Sequence, residues 1–101
     1  MNKTTLYIGL NDKESKRQEI NTSEAIKILS NMLKDIGGAT IYEATGIYTH
    51  ENGDIIIENT LRVELIEVNQ EMLKYKIGLI KQVLNQESVI MQQENVNTTI
   101  L

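Results

Sequence analysis

The chain has 101 residues, is 41% hydrophobic and contains no cysteine, so it offers one domain's worth of aliphatic core and excludes disulfides, thiolate metal sites and a thiol nucleophile. Fourteen acidic against ten basic residues leave a net charge of -4, which argues against general attraction to the phosphates of duplex nucleic acid. No apolar run reaches the ~20 residues of a membrane span, and the first residues lead into a strand pattern instead of a signal-peptide core, so a soluble, cytoplasmic protein is expected.

Thr4 to Leu10 alternates, with Leu6, Ile8 and Leu10 on one face and Thr5, Tyr7 and Gly9 on the other, as a half-buried strand does. Asn11 to Glu19 has no apolar residue and reads as an exposed loop carrying Lys13, Lys16 and Arg17. A helix start follows at Asn21 or Thr22, with Glu24 placed as in a capping box. Ala25, Leu29, Met32, Leu33 and Ile36 fall on one stripe of that helix, and Gly37-Gly38 are expected to end it.

Two long strands are predicted next, Ala39 to Tyr48 and Ile55 to Glu67, joined by a turn ending in Asn52-Gly53. In the second, Ile55, Ile57, Leu61, Val63 and Leu65 form the expected core face, while Asn59 suggests a bulge or a side-chain bond to backbone. Asn69 caps a second helix running to about Leu84, with the stripe Leu73, Ile77, Ile80 and Leu84. Met72, Tyr75, Leu79 and Val83 widen its apolar arc, for packing on the first helix or on another subunit. Ser88 to Gln93 reads as the last strand, and residues 96–101 as a tail outside a single domain of residues 1–95.

Strand, helix, strand, strand, helix, strand is the ferredoxin-like split arrangement, an α+β fold. Right-handed crossovers put both helices on one face of a four-stranded antiparallel sheet, with the first and third strands central. The other face stays uncovered by the chain, yet carries Tyr42, Tyr48, Ile56, Glu58, Arg62 and Ile66. Such a face predicts a subunit interface or a ligand cleft, with a homodimer as the first arrangement to expect.

The same topology brings the loop Asn11 to Glu19, the turn around His50 and the connection Asn85-Gln86-Glu87 to one end of the sheet. Lys13, Lys16, Arg17, His50, Asn85 and Gln86 are therefore the candidate ligand residues, the cations suited to a small anionic group. The competing reading is a solvated, charge-balanced loop. His50 is the only histidine and has no partner for a metal shell; as a general base it would need an orienting group, and Glu51 and Asp54 are merely adjacent. Glu58, Arg62 and Glu64 share a face, either as polar groups of a cleft or as an exposed cross-strand ladder. No serine sits in a nucleophile elbow, no glycine-rich phosphate loop opens a helix, and no metal or cofactor is expected.

Leu6-Tyr7-Ile8-Gly9-Leu10-Asn11-Asp12, Gly46-Ile47-Tyr48 with Gly53, Glu58-Asn59-Thr60, and Asn85-Gln86-Glu87-Ser88-Val89 together resemble the small DUF3574-like proteins of bacteria and their phages. The resemblance spans Leu6 to Val89 and implies a ferredoxin-like fold without an assigned activity. A phage setting, implied through it, suggests a non-enzymatic homo-oligomeric binding protein acting in counter-defence, by sequestering a nucleotide-like small molecule or blocking a host protein. The alternative is a small cofactor-free enzyme of the ferredoxin-like dimer type, a monooxygenase or isomerase, with His50, Tyr48 or Glu58 as acid-base groups.

Overall fold

A computed structural model describes all 101 residues. Its elements are β1 (Asn2–Gly9), α1 (Thr22–Leu33), β2 (Thr40–Thr49), β3 (Ile55–Ile66), α2 (Gln70–Val83) and β4 (Ile90–Asn95). The strands form one antiparallel sheet in the order β2-β3-β1-β4, so β1 and β3 are central and the fold is the ferredoxin-like one. No helix is long and apolar enough to cross a membrane.

Both helices begin where a side chain can replace a missing helical acceptor. The Asn21 carboxamide accepts the Glu24 N–H, and that of Asn69 accepts the Met72 N–H. α1 stops at Leu33, before the glycine pair, which forms the following turn with φ of 101° and 143° at Gly37 and Gly38. The end of α1 is met instead by Lys76 of α2, whose ammonium donates to the Met32 carbonyl at 2.7 Å and to Asp35 at 2.9 Å. This bond holds the Asp35 carboxyl below its ordinary range.

The core lies between the sheet and the two helices. Leu6 and Ile8 of β1 and Leu61, Val63 and Leu65 of β3 are buried against Ala25, Leu29 and Leu33 of α1 and Leu73, Ile80 and Leu84 beside them. Period-two burial along the strands and helical spacing along the stripes give one closed apolar layer. Met32, Ile36 and Ile77 pack at its margin, whereas Tyr75 and Val83 of the wider α2 arc stay exposed.

The core face of β3 ends sooner than its pattern implies. Ile55 and Ile57 have the parity of Leu61, but they are 68% and 65% exposed, as is Ile47 opposite them at 69%. β1 pairs with β3 only from Thr60 to Ile66, whereas β2 pairs with it back to Ile55. The hairpin tip thus overhangs both the sheet and the helices. Asn59 causes no bulge: it stays in register with Thr45, and its amide donates to the Gln18 side chain at 2.7 Å. β4 starts at Ile90, two residues late, because Val89 turns inward onto the core. Beyond β4 the Val96 N–H bonds the Met1 carbonyl, and Ile100 and Leu101 are exposed.

Candidate functional site

The helix-free face of the sheet holds a concavity of about 580 Å³, within the size that small-molecule sites occupy. Its floor comes from β1 (Tyr7, Gly9), β2 (Ala44, Gly46, Tyr48) and β3 (Ile56, Glu58, Thr60). One wall is the loop after β1 with Asn11, Asp12, Lys13 and Lys16, another the connection Gln86–Ser88, and His50 closes the hairpin side. Three segments distant in sequence converge there because the antiparallel order returns all of them to one end of the sheet.

Glu58 is at the centre of the floor. Its Oε2 accepts the Asn11 N–H at 3.0 Å, and it forms no ion pair with any lysine, arginine or histidine. The carboxyl group lies across β1 at Gly9, where a methyl group would sit 2.5–2.8 Å from it. On the other side, a methyl at Gly46 would meet the Thr60 hydroxyl at 2.7 Å. Glycine inside a strand marks a close approach of this kind: Gly9 lets the Glu58 carboxylate lie over the sheet, and Gly46 makes room for the Thr60 hydroxyl.

Tyr48 flanks the same floor from the edge strand, its ring edge-on to His50 with centroids 5.3 Å apart. Loss of solvent, and then the charge of Glu58, push its hydroxyl above the ordinary 10.0. A carboxylate and a phenol on the floor of the hollow suit a ligand with a positive centre and a flat ring. No cluster of His, Asp or Glu is placed to hold a metal ion.

The loop wall is fixed, although its composition reads as solvent-exposed. Asn11 and Gln18 bridge its two arms, Asp12 Oδ1 accepts the Glu14 and Ser15 N–H groups at 2.8 and 2.9 Å, and the Asn85 amide donates to Asp12 Oδ2 at 2.7 Å. The Asn85 bond, then those backbone bonds, hold the Asp12 carboxyl below its ordinary value. Gln86 is buried, and its amide donates to the Asn11 and Leu84 carbonyls. Asn85 and Gln86 therefore brace the wall from behind, and Gln86 also reaches the pocket lining.

Of the residues singled out in the sequence, Lys13, Lys16, His50, Gln86, Tyr48, Ile56 and Glu58 line this pocket. Arg17 points elsewhere and pairs with Glu19 at 3.5 Å. Tyr42, Arg62 and Ile66 lie toward the other end of the open face. There Glu64 accepts the Tyr42 hydroxyl at 2.7 Å, Arg62 at 2.8 Å and Lys3 at 3.0 Å, and the Arg62 guanidinium stands over the Tyr42 ring at 5.4 Å. The Tyr42 bond, then that of Lys3, hold the Glu64 carboxyl below its ordinary 4.5, while Tyr42 and Lys3 are raised by the same bonds.

Tyr7, Gly9, Asn11, Thr60, Glu87 and Ser88 belong to the lining without having been singled out as site residues. The readable signal was the pair of strand-interior glycines, Gly9 and Gly46.

No protein-family model and no curated protein matches the chain. Solved structures do. A phage SAM (S-adenosylmethionine) lyase in complex with S-methyl-5'-thioadenosine matches at a TM-score of 0.66 and 19% identity, over 92% of this chain and 79% of that one. CutA1 from Pyrococcus horikoshii matches at 0.55 and 17% identity, over 99% and 87%, and the divalent ion tolerance protein CutA1 from Ehrlichia chaffeensis at 0.58 and 16%, over 97% and 84%. At these identities the likeness is one of fold.

Proposed function

We propose that the open-face pocket binds a sulfonium nucleoside of the S-adenosylmethionine class and cleaves it, releasing the neutral thioether nucleoside. The observation that carries this reading is the Glu58 carboxylate on the pocket floor, accepting one backbone N–H and paired with no cation. An unpaired carboxylate in a hollow is a counter-charge awaiting a cation, and a sulfonium supplies one without needing a donor hydrogen. Tyr7 and Tyr48 put two aromatic residues in the lining to suit a purine, and the volume accommodates a nucleoside amino acid. The fold likeness to a phage SAM lyase supports the same ligand class.

The chemistry asks little of the protein, which fits a site with no nucleophile. As the bond from sulfur to the amino-acid chain breaks, its electron pair passes to sulfur and discharges the sulfonium. The substrate's own carboxylate oxygen can bond to the carbon that sulfur leaves, so charge balances, no water is consumed and no proton need move. Glu58 and Tyr48 bind and orient the reacting end, which is the part of catalysis that positioning supplies. Removal of a methyl donor gives the counter-defence reading a concrete form, and the DUF3574-like resemblance is compatible with it.

Incubation of the protein with S-adenosylmethionine, followed by chromatography, should show S-methyl-5'-thioadenosine formed in excess over the protein. Thermal stabilisation by either nucleoside without turnover would instead favour sequestration, since native-state binding raises the melting temperature by mass action. Neither turnover nor stabilisation at millimolar ligand would sink both readings.

We also infer a homo-oligomer. Ile47, Ile55 and Ile57 form an exposed aliphatic patch on the overhanging hairpin, and such a patch on a small domain calls for cover. Light scattering after size exclusion should give a mass of at least two chains at micromolar concentration; a monomer would remove this inference and leave the pocket reading untouched.

A further inference from the structure

We propose that Lys13 and Lys16 form an anion-recognition edge of the pocket, which takes the carboxylate of a nucleoside amino acid and so distinguishes it from the thioether nucleoside left after cleavage. This rests on the pocket reading above and adds the group that sets its selectivity.

Both lysines line the pocket, and neither has an acidic partner within ion-pair distance. The other basic groups flanking the open face and the loop are engaged: Lys3 and Arg62 with Glu64, and Arg17 with Glu19. The lining acids are Asp12, Glu58 and Glu87. Asp12 lies beside the lysines in sequence, but its oxygens are occupied by Glu14, Ser15 and Asn85. Glu58 is held over Gly9 by Asn11, and neither Glu58 nor Glu87 is in an ion pair. The lining therefore sets Glu58 on the floor against two unpaired lysines on the wall, where Asp12 is already occupied.

The loop is also built to keep the lysines in place. The Lys13 N–H bonds the Asn85 carbonyl at 3.0 Å, the Lys16 N–H the Asp12 carbonyl at 2.9 Å, and the Asp12 N–H the Arg17 carbonyl at 2.7 Å. Lys16 adopts φ of 63°, a left-handed conformation that glycine or asparagine would occupy more readily. One ammonium anchoring one carboxylate oxygen leaves the second oxygen free to react. After cleavage the thioether nucleoside carries neither the carboxylate nor the sulfonium, so both ends of the site release it.

The test is calorimetric titration of two stable probes that both carry a neutral sulfur: S-adenosylhomocysteine, which has the carboxylate, and S-methyl-5'-thioadenosine, which lacks it. The native protein should bind the first more tightly, and added sodium chloride should weaken that binding alone. Lys16→Asn, which suits the left-handed backbone, combined with Lys13→Ala should weaken S-adenosylhomocysteine roughly tenfold or more, the value of a charge-assisted bond. The thioether nucleoside should change by less than about twofold, on the same accounting. Equal affinity for both probes in the native protein, or equal loss of both in the variant at an unchanged melting temperature, would overturn the anion edge alone. Failure of the native protein to bind either probe, together with no turnover of S-adenosylmethionine, would overturn the nucleoside reading and this one with it; with turnover intact it would overturn the anion edge alone. Lys16→Asn by itself provides the same comparison if the double variant does not fold.

Discussion

Glu58 and Glu64 stand on the same face of the same strand, and their surroundings are opposite. Glu64 is saturated by Tyr42, Arg62 and Lys3, while Glu58 accepts one backbone N–H and opens onto a pocket. The cause is local. Around Glu64 the neighbouring strands present long polar side chains that reach across; beside Glu58 they present Gly9 and Gly46, which reach nothing and leave room. A saturated carboxylate locks a sheet, and an unsaturated one awaits a ligand. Glu58→Gln puts this contrast to its strongest test. It keeps the shape and the Asn11 bond, so the melting temperature should hold, while cleavage falls by at least ~10²-fold. A loss of only a few-fold would mean that the floor carboxylate is not the centre of the site.

The fold was legible from the chain because its signals are redundant. Period-two alternation, two Asn caps and the Asn52-Gly53 turn each point to the same topology. Ile55 and Ile57 were misplaced into the core because parity fixes the face of a strand but not how far the helices extend over it. Leu61→Ala should therefore cost about 2–5 kcal/mol in denaturant unfolding, and Ile57→Ala under about 0.5 kcal/mol in the monomeric state. The convergence of three segments at one end of the sheet was also legible, since it follows from topology. Which of Glu58, Arg62 and Glu64 would be free was not. That depends on what the adjacent strands place beside each one, and register across β1, β2 and β3 is a tertiary fact.

Gly9→Ala is the next largest effect expected. The added methyl would meet the Glu58 carboxyl, the far end of a flexible side chain, so the strand keeps its place and the carboxylate moves. Cleavage should drop roughly ten- to hundredfold, because small misplacements of a reacting group cost that much. Stability should change by less than about 1 kcal/mol. If unfolding midpoint and activity fall together, Gly9 serves the sheet more than the site.

Glu64→Gln should do the reverse. It removes the counter-charge of Lys3 and Arg62, two partly shielded cations, and should lower stability by about 1 kcal/mol, discounted for solvent screening. For a domain of this size that is a fall of about 4–8 °C in melting temperature. Cleavage should stay within about twofold of native, since the effect is one of stability. A large loss of activity would join the two ends of the face into one functional unit.

Acid titration separates charge from shape at the locked end. Glu64 is held below its ordinary 4.5, and Asp12 and Asp35 below 3.8, each by a bond formed only in the folded chain. A depressed carboxyl contributes its full stability above its unfolded value and loses it as pH falls through the folded one. Native stability should therefore decline as pH drops below about 4.5. The gap between the native protein and the Glu64→Gln variant should be widest near neutrality and shrink through the same range, because a protonated Glu64 and the glutamine that replaces it both lack the charge. Urea midpoints measured across that range check it. A gap that stays constant into acid would mean that the packing of the Glu64 side chain, and not its charge, holds Tyr42, Arg62 and Lys3 together.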